Sequence, residues 1–310
     1  MNRWKNHRIL VTPFKDKEWC STSLNAINFK QLYCSDHEII EGFVSGRDTM
    51  GRSLIGRINF NTSTGQIESV SSDPIIDLGQ RGAFDENGLS YPNYCVFKDE
   101  EYIFYTGWIE GVQQKWYNGV GLLKLNELNT WERTSKAPIF HRSDADFIGF
   151  GSNFVMRDME KYIMLITRFE KWSSDGSPSY NLKISTNVDI FNFEFCEDVV
   201  LPFENGEYIH SKPFLLKLKN KYLIFFSKRG STYSISCAQS EDLINWQRVN
   251  SVLDLNMEDV GIFSEMVCYP CLIITPTKVF IFYTGDGYGK SGIGIGEMRR
   301  SEFDDIVLGL

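Results

Sequence analysis

The sequence contains no apolar run that approaches the ~20 residues of a membrane-spanning helix. Its first residues, MNRWKNHRILVTPFKDKEW, also lack the apolar core, roughly 7–15 residues long, of a secretory signal peptide. We therefore expect a cytoplasmic protein without a membrane span. The seven cysteines are odd in number and scattered along the chain, which fits reduced thiols in that compartment.

Clusters of basic residues are missing as well. The chain has 32 Lys and Arg against 40 Asp and Glu, so its formal net charge is −8. An acidic chain without a basic patch is not expected to bind nucleic acid.

Two short motifs resemble cofactor or redox sites but lack the necessary context. The run GDGYGKS at 285–291 is one residue short of a phosphate loop, and a glycine-alternating strand follows it instead of a helix. The run CYPC at 268–271 has redox spacing, but positions three apart in a strand face opposite sides. We predict no cofactor and no metal.

The segments between the apolar runs lack helical periodicity. The chain instead contains an internal repeat. Strands rich in Ile, Phe and Tyr begin at steps of 63, 60, 60 and 57 residues, at Glu38, Glu101, Lys161, Lys221 and Lys278. A short apolar strand precedes each of them, and a polar loop and a third strand follow. This order predicts β-meanders and leaves no room for a crossover helix.

The clearest two copies lie in Phe84–Trp108 and in residues 268–286, which share YP and FYTG at a common offset of 178 residues. We predict an all-β fold, a five-bladed β-propeller of roughly sixty-residue meander blades, forming a single domain over residues 1–310. Segments 1–22 and 299–310 are expected to close the ring. A strand at Arg8–Val11 would complete the last blade and hide its edge.

Six motifs in order also carry a family resemblance: GRDTMGRSLIG, FDENGLSYP, DADFIGFGS, SKRG, SEMVCYP and GDGYGKSGIGIG. Over about residues 40–298 the chain resembles a group of bacterial propeller proteins similar to the five-bladed glycosidase superfamily, which includes fructosidases, arabinanases and mannoside phosphorylases. Many such proteins are encoded among surface-polysaccharide biosynthesis genes. The resemblance implies the fold and a carbohydrate ligand, while function has to be argued from the site.

The chain departs from that family at two positions. Relatives with known chemistry commonly carry an Asp in the inner strand of the first blade, whereas TSLNAINF has none. Mannoside phosphorylases carry an Asp just before the proline of the second motif, where this chain has Tyr91.

Three carboxylates are candidate catalytic residues. The first strand of each blade lines the central channel, so residues where these strands begin should converge. Asp85, Asp146 and Glu265 fall there. Glycosidic cleavage needs a carboxylic acid and usually a second carboxylate. We predict Glu265 as the general acid and Asp85 or Asp146 as the base or as a ligand of a sugar hydroxyl. The DENG context of Asp85 also fits an Asx turn, Asp146 also fits a solvated loop, and Glu265 also fits a partner of an arginine.

Further residues are candidates for binding the substrate. An arginine–aspartate cluster on the rim could hold a phosphate or carboxylate, and three more basic residues would add to that side. Aromatic residues could stack on a sugar face or cover a blade edge. The arginine–aspartate cluster also fits a charged hairpin turn. His210 is a further candidate, and it also fits a structural role. The predicted binding residues are Arg47, Asp48, Arg52, Tyr91, Trp108, His210, Lys212, Arg229, Tyr269, Asp286, Tyr288 and Lys290.

Two functional hypotheses follow. The first is an enzyme that hydrolyses, phosphorolyses or transfers a glycosyl bond of a cytosolic sugar intermediate, in surface-polysaccharide metabolism. The alternative is a non-catalytic propeller that binds a sugar or a sugar nucleotide for polysaccharide assembly. The expected partner in both is a sugar, oligosaccharide or sugar nucleotide, anionic if the basic residues converge. The oligomeric state is left open.

Overall fold

A computed structural model describes residues 3–249 and 252–309. Residues 1–2, 250–251 and 310, which the predicted domain and its terminal segments include, lie outside the described residues. The secondary structure is dominated by antiparallel β-strands, which confirms the all-β prediction.

The strands pair as successive antiparallel meanders after an N-terminal strand β1 (Lys5–Val11) and a 3-10 turn at Glu18–Cys20. The first meander contains β2 (Ser23–Phe29), β3 (Ile39–Arg47), β4 (Ser53–Asn61) and β5 (Gln66–Val70). The second contains β6 (Gly88–Phe97), β7 (Glu100–Glu110), β8 (Trp116–Leu125) and β9 (Trp131–Arg133). The third contains β10 (Phe150–Asp158), β11 (Lys161–Trp172) and β12 (Pro178–Asn187).

Two further meanders complete the pairing. The fourth contains β13 (Ile209–Leu218), β14 (Lys221–Arg229), β15 (Tyr233–Ser240) and β16 (Gln247–Arg248). The fifth contains β17 (Cys268–Ile274), β18 (Lys278–Thr284) and β19 (Ile293–Arg299). Short helices lie outside the sheets: α1 (Met257–Val260), α2 (Asp286–Gly289) and α3 (Arg300–Leu308).

The meanders form a closed ring. The first strands β2, β6, β10, β13 and β17 contact one another in chain order, and β17 contacts β2 in turn. Strand β1, expected at Arg8–Val11, spans Lys5–Val11 and pairs with β19, so the N-terminal strand becomes the outer strand of the last meander. Strand β1 thereby covers the edge of β19 that would otherwise stay unpaired.

Aromatic packing seals the ring where the first and fifth meanders meet. The ring of Phe60 lies 5.4 Å from that of Phe280 and 5.0 Å from that of Phe282, both at steep angles. Edge-to-face pairs of this kind are favourable beyond the area they bury. Helix α3, at the C-terminal end where a closure segment was predicted, packs Phe303 against Trp4 with ring centroids 6.1 Å apart.

Every first strand carries a β-bulge at the same place near its beginning. In each, one extra residue lies between two paired positions, as between Asn25 and Asn28 opposite Ser45 and Phe43. Four of the bulges hold a non-glycine residue at left-handed φ, namely Ala26 (51°), Tyr91 (57°), Lys212 (46°) and Tyr269 (59°). Gly151 occupies this position in the third meander. A bulge turns a side chain away from the regular alternation, here at equivalent positions around the ring.

A hydroxyl side chain at an equivalent position of each second strand joins every bulge to the preceding meander. Ser45 Oγ accepts the N–H of Tyr91 at 2.9 Å, Ser227 Oγ that of Tyr269 at 2.8 Å, and Thr284 Oγ1 that of Ala26 at 3.1 Å. In the two remaining junctions, Thr106 donates to the carbonyl of Gly151, and Thr167 reaches the N–H of Lys212 through Ser152. These buried bonds satisfy backbone groups that the bulge removes from the ladder.

Replacing Ser227 with Ala should lower the free energy of unfolding by about 1–3 kcal/mol, because the buried N–H of Tyr269 would lose its acceptor. Urea denaturation measures the change. Ser234→Ala in the same meander is the control, since the Ser234 hydroxyl has no hydrogen bond among the described residues. Equal stability of the two variants would contradict the role of the hydroxyl ring.

Candidate functional site

Six tyrosines gather at the end of the ring where the first strands begin. Tyr91 and Tyr269, from the second and fifth meanders, meet with their hydroxyl oxygens 3.1 Å apart. The small side chain of Ala26 packs with them, in the meander between the two. We call this group the tyrosine mouth; its members are Tyr91, Tyr180, Tyr208, Tyr233, Tyr269 and Tyr288.

The tyrosine mouth contains both exposed and buried members. The ring of Tyr288 is 40 % exposed, whereas Tyr233 and Tyr269 are buried. Burial raises the pKa of Tyr91 and Tyr288, and it raises the pKa of Tyr180, Tyr233 and Tyr269 as well. These phenols therefore stay neutral near pH 7 and can both donate and accept hydrogen bonds.

Lys212 lies in the same ring of bulge positions as Tyr91 and Tyr269. Its side chain is fully buried, and its Nζ has no hydrogen bond or ion pair with any residue in the described parts of the chain. Burial lowers the pKa of Lys212 to about 8, and the nearby thiol of Cys271 opposes this only in part. A lysine of this kind is costly to keep inside a fold, which makes its position a candidate for function.

Arg229 borders the tyrosine mouth as a second basic group. Its guanidinium lies 5.0 Å from the ring centre of Tyr233 and 5.7 Å from that of Tyr208. The Nε–H is buried and has no acceptor among residues 3–249 and 252–309. The aromatic faces and a side-chain hydrogen bond with Tyr233 hold the guanidinium in place, while its Nε–H is left for a ligand.

Asp85 and Asp146, predicted as catalytic residues, each lie in a buried ion pair. Asp85 Oδ2 is 2.7 Å from Arg133 Nε and accepts the hydroxyl of Tyr105 at 2.9 Å. Asp146 Oδ1 is 2.5 Å from Arg168 Nε and 3.9 Å from Nζ of the buried Lys183. Partners of this type favour structural roles for both carboxylates. Their catalytic assignment stays a prediction.

Glu265 is placed differently. It is exposed, and its carboxylate makes no hydrogen bond or ion pair within the described residues. Its backbone N–H donates to Asp286 Oδ1 at 2.7 Å, and the neighbouring N–H groups of Ser264 and Met266 donate to the same carboxylate. Asp286, predicted to bind substrate, therefore holds the loop that leads to the tyrosine mouth.

The predicted cluster on the rim separates into two parts. Asp48 is buried and accepts hydrogen bonds from Arg52 Nε at 2.7 Å and from two backbone N–H groups of the same turn. Arg47 is exposed, and its guanidinium lies over the ring of Trp108 at 5.6 Å. The loop forms the charged hairpin turn that was predicted from the sequence as the alternative to a ligand site. Arg47 donates from Nη1 to the carbonyl of Gly51 at 3.2 Å and has no ion pair among the described residues, whereas Arg52 is engaged by Asp48.

His210 and Lys290, the last two predicted binding residues, lie apart from each other. His210 is fully buried, with Nε2 2.9 Å from Glu207 Oε2. Burial lowers the pKa of His210. Burial opposes ionisation of Glu207, but hydrogen bonds from His210 and Arg248 outweigh it and lower the pKa of Glu207 to about 2. This geometry favours the structural alternative for His210. Lys290 is exposed next to α2.

The sequence reasoning did not find Tyr180, Tyr208 and Tyr233. Tyr180 and Tyr233 occupy equivalent positions in the third strands of the third and fourth meanders, two residues before the partners of Thr167 and Ser227. Aligning the third strands in addition to the second strands would have revealed this pair. Tyr208 precedes β13 in a loop, and no repeat marks it.

Comparison with known sequences gives relatives but no family model that matches. Two proteins of Mycobacterium tuberculosis, uncharacterized protein Rv1502 of strain H37Rv and uncharacterized protein MT1551 of strain CDC 1551, are each 26% identical over 301 residues. Each match covers 96% of this chain and 99% of the relative. The whole length is therefore shared with proteins of similar size.

Solved structures are similar over almost the entire chain. A glycosyl hydrolase from Bacteroides ovatus matches with a TM-score of 0.72 at 12% identity, covering 97% of this chain and 93% of that one. The catalytic domain of the Coprinopsis cinerea GH62 α-L-arabinofuranosidase matches with a TM-score of 0.67 at 13% identity, covering 97% and 98%. This chain has the fold of the propeller glycoside hydrolases.

A further propeller neighbour comes from the GH130 family of mannoside phosphorylases and glycoside hydrolases that target β-1,2 mannosidic linkages. It has a TM-score of 0.72 at 13% identity and covers 97% of this chain and 94% of that one. At such identities the likeness establishes the propeller glycosidase fold and leaves the chemistry to the site. The predicted resemblance is confirmed at that level.

Two features are absent from the described residues. None of their helices is long and apolar enough to span a membrane. No group of three or more His, Cys, Asp or Glu side chains is arranged there to hold a metal ion.

Lys212→Met should raise the free energy of unfolding at pH 7 by about 3 kcal/mol, because it removes an unpaired buried charge. The unfolded chain keeps this proton up to pH 10.5, while the folded chain releases it near pH 8. The folded state therefore binds fewer protons in that window, and wild-type stability rises there relative to the variant.

Urea denaturation between pH 6 and pH 10 measures this difference, which should shrink above pH 8. Lys217→Met on the same strand is the control, because Lys217 is paired with Asp158 at 2.8 Å. If Lys212→Met is less stable than the wild type at every pH, the buried charge is not a cost to the fold.

Asp85→Asn should lower the free energy of unfolding by about 3 kcal/mol, because Arg133 loses its buried counter-charge. Glu110→Gln, at an exposed position of the same meander, should change it by less than about 0.5 kcal/mol. Thermal and urea denaturation measure both. A fully stable Asp85→Asn protein would count against the structural role and would favour Asp85 as a catalytic residue.

Proposed function

We propose that this protein is a five-bladed propeller, one blade per meander, that binds a carbohydrate at the tyrosine mouth. The observation that carries the proposal is the convergence of six tyrosines and Arg229 at the end of the ring where the bulges lie. Aromatic faces together with a few convergent polar groups are suited to a ligand with both apolar ring faces and hydroxyls.

Small residues occupy two of the five bulge positions. Ala26 and Gly151 occupy the bulge positions of the first and third meanders, so two of the inward positions have little or no side chain. The neutral hydroxyls of Tyr91 and Tyr269 are hydrogen-bonded to each other, and each can exchange this bond for one to a sugar hydroxyl.

Binding without glycosidic cleavage is favoured by the ring of bulge positions. Its five residues are Ala26, Tyr91, Gly151, Lys212 and Tyr269, and none is a carboxylate. Asp85 and Asp146 are engaged in ion pairs, so the pair of carboxylates that cleavage usually requires is not available from them.

A glycosyl-bond enzyme is the second candidate, and Glu265 favours it. This exposed carboxylate is next in sequence to Met266, which packs with the tyrosine mouth, and it has no partner within the described residues. It could protonate a leaving oxygen, as the first functional hypothesis requires. The fold shared with glycoside hydrolases and phosphorylases is consistent with such a role. A cytoplasmic location and a part in polysaccharide metabolism stay predictions.

Ligand-observed NMR with a panel of glycosides, oligosaccharides and sugar nucleotides, with and without phosphate, tests both functions. Tyr91→Phe should weaken binding about 5-fold, since one hydroxyl hydrogen bond is lost, whereas Tyr117→Phe outside the mouth should not. Unchanged binding in Tyr91→Phe would place the ligand elsewhere.

Anomeric signals in the same samples report turnover. Binding without turnover supports the binding propeller. Turnover that disappears in Glu265→Gln supports the enzyme, and turnover that survives this change excludes Glu265 as the general acid.

A further inference from the structure

We propose that the ligand of the tyrosine mouth is an acidic sugar whose oxyanion, a carboxylate or a phosphate ester, pairs with Lys212 and Arg229. This inference rests on the carbohydrate site proposed above and names the chemical class of its ligand. Three observations lead to it.

The first observation is the uncompensated ammonium group. Lys212 is fully buried, yet its Nζ has no hydrogen bond or ion pair in the parts of the chain described. The other fully buried lysine, Lys183, lies 3.9 Å from Asp146 and 3.8 Å from Glu197. The fold thus neutralises one buried lysine and leaves the other, in the inward ring, without an anion. A buried charge without a partner is strongly unfavourable, and an anion from outside would remove that cost.

The second observation is the neutrality of the groups around Lys212. Its neighbours in the ring are Gly151 on one side and Tyr269 on the other. The thiol of Cys271, whose pKa burial raises to about 12, is the titratable group that acts on Lys212. Burial also raises the pKa of Tyr91 and Tyr269. None of these groups supplies a negative charge near pH 7, so the counter-ion has to come with the ligand.

The third observation is a second cation without a carboxylate partner, which borders the tyrosine mouth. Arg229 has no ion pair with a described carboxylate, and its guanidinium is held against Tyr208 and Tyr233. Its planar set of donors matches a carboxylate or phosphate. The chain carries eight more negative than positive charges, yet neither Lys212 nor Arg229 has a carboxylate partner among the described residues. The flexible four-carbon stem of Lys212 allows its Nζ to approach the same oxyanion from the centre of the ring.

Gly151 occupies the bulge position next to that of Lys212 in the ring. A glycine there adds no side chain between the third and fourth meanders, and the nearest atoms to an added Cβ would be those of Thr167 at 3.4 Å. The ring position beside Lys212 thus carries no side chain of its own.

Binding of an oxyanion should raise the pKa of Lys212, because the anion favours the charged form. Wild-type protein should then take up a proton on binding near pH 8, and its affinity for acidic sugars should fall above that pH. Neutral sugars should show neither effect.

Isothermal titration calorimetry can test the inference with matched probes. Glucose, mannose and galactose are each used as the neutral sugar, the uronic acid and the 1-phosphate, with inorganic phosphate as a further probe. Titrations in buffers of different ionisation enthalpy at pH 8 give the proton uptake. The proteins are the wild type, Lys212→Met, Arg229→Gln and the control Lys217→Met.

We expect at least one acidic form to bind ten-fold or more tightly than its neutral parent, with proton uptake that Lys212→Met abolishes and Lys217→Met keeps. Arg229→Gln should weaken the acidic form but not the neutral one. Preference for the uronic acid identifies a carboxylate ligand, and preference for the 1-phosphate identifies a phosphate ester; either supports the inference.

Three results would overturn it. Equal affinity for neutral and acidic forms would show that the site does not select an acidic sugar, while leaving the proposed carbohydrate binding intact. Inorganic phosphate that binds as tightly as the sugar phosphates would show a simple anion site. Absence of binding by every sugar would overturn both the inference and the proposed function. If Lys212→Met fails to fold, the proton uptake of the wild type still tests whether an oxyanion pairs with Lys212.

Discussion

The structure depends on a repeated hydrogen bond between a bulge in each first strand and a hydroxyl of the preceding meander. A bulge bends its strand and redirects a side chain at the cost of unpaired backbone groups. The residues Ser45, Thr106, Thr167, Ser227 and Thr284 meet that cost from the neighbouring meander, directly or through Ser152. The hydrogen bonds that join neighbouring meanders are therefore the same ones that satisfy the backbone groups at the bulges.

The same bulges create the candidate site. Because the extra residue is turned out of the strand alternation, Tyr91 and Tyr269 meet although a whole meander lies between them. The side chain at this position is free to vary, since the hydrogen bond to the hydroxyl uses only the backbone. Ala26, Tyr91, Gly151, Lys212 and Tyr269 occupy equivalent positions and differ in size, polarity and charge. The bulge has the same backbone arrangement in each meander, whereas the chemistry at the centre of the ring depends on these five residues.

Buried charges in this protein fall into two groups with different consequences. Asp85, Asp146 and Glu207 each lie against an arginine, so their charges are compensated and contribute to the fold. Lys212 is buried without such a partner, and Arg229 has aromatic rings in place of a carboxylate. Arginine partners hold the carboxylates of Asp85 and Asp146, two of the predicted catalytic residues. The uncompensated cations mark the place where a ligand would improve the electrostatics.

The sequence alone determined the meander repeat, the all-β class and the strand at the N-terminus, because strand periodicity and spacing are local and recur along the chain. It also indicated Tyr91, Lys212, Arg229, Tyr269 and Tyr288, which lie at or next to strand ends that the repeat locates. Only the tertiary structure decided that Arg133 neutralises Asp85 and that Tyr180, Tyr208 and Tyr233 join the cluster. Those contacts connect residues from different strands or meanders, and a linear pattern does not record which side chains face each other across a gap. The chemistry of the site depends on that pairing of charges, whereas the fold depends on the repeat.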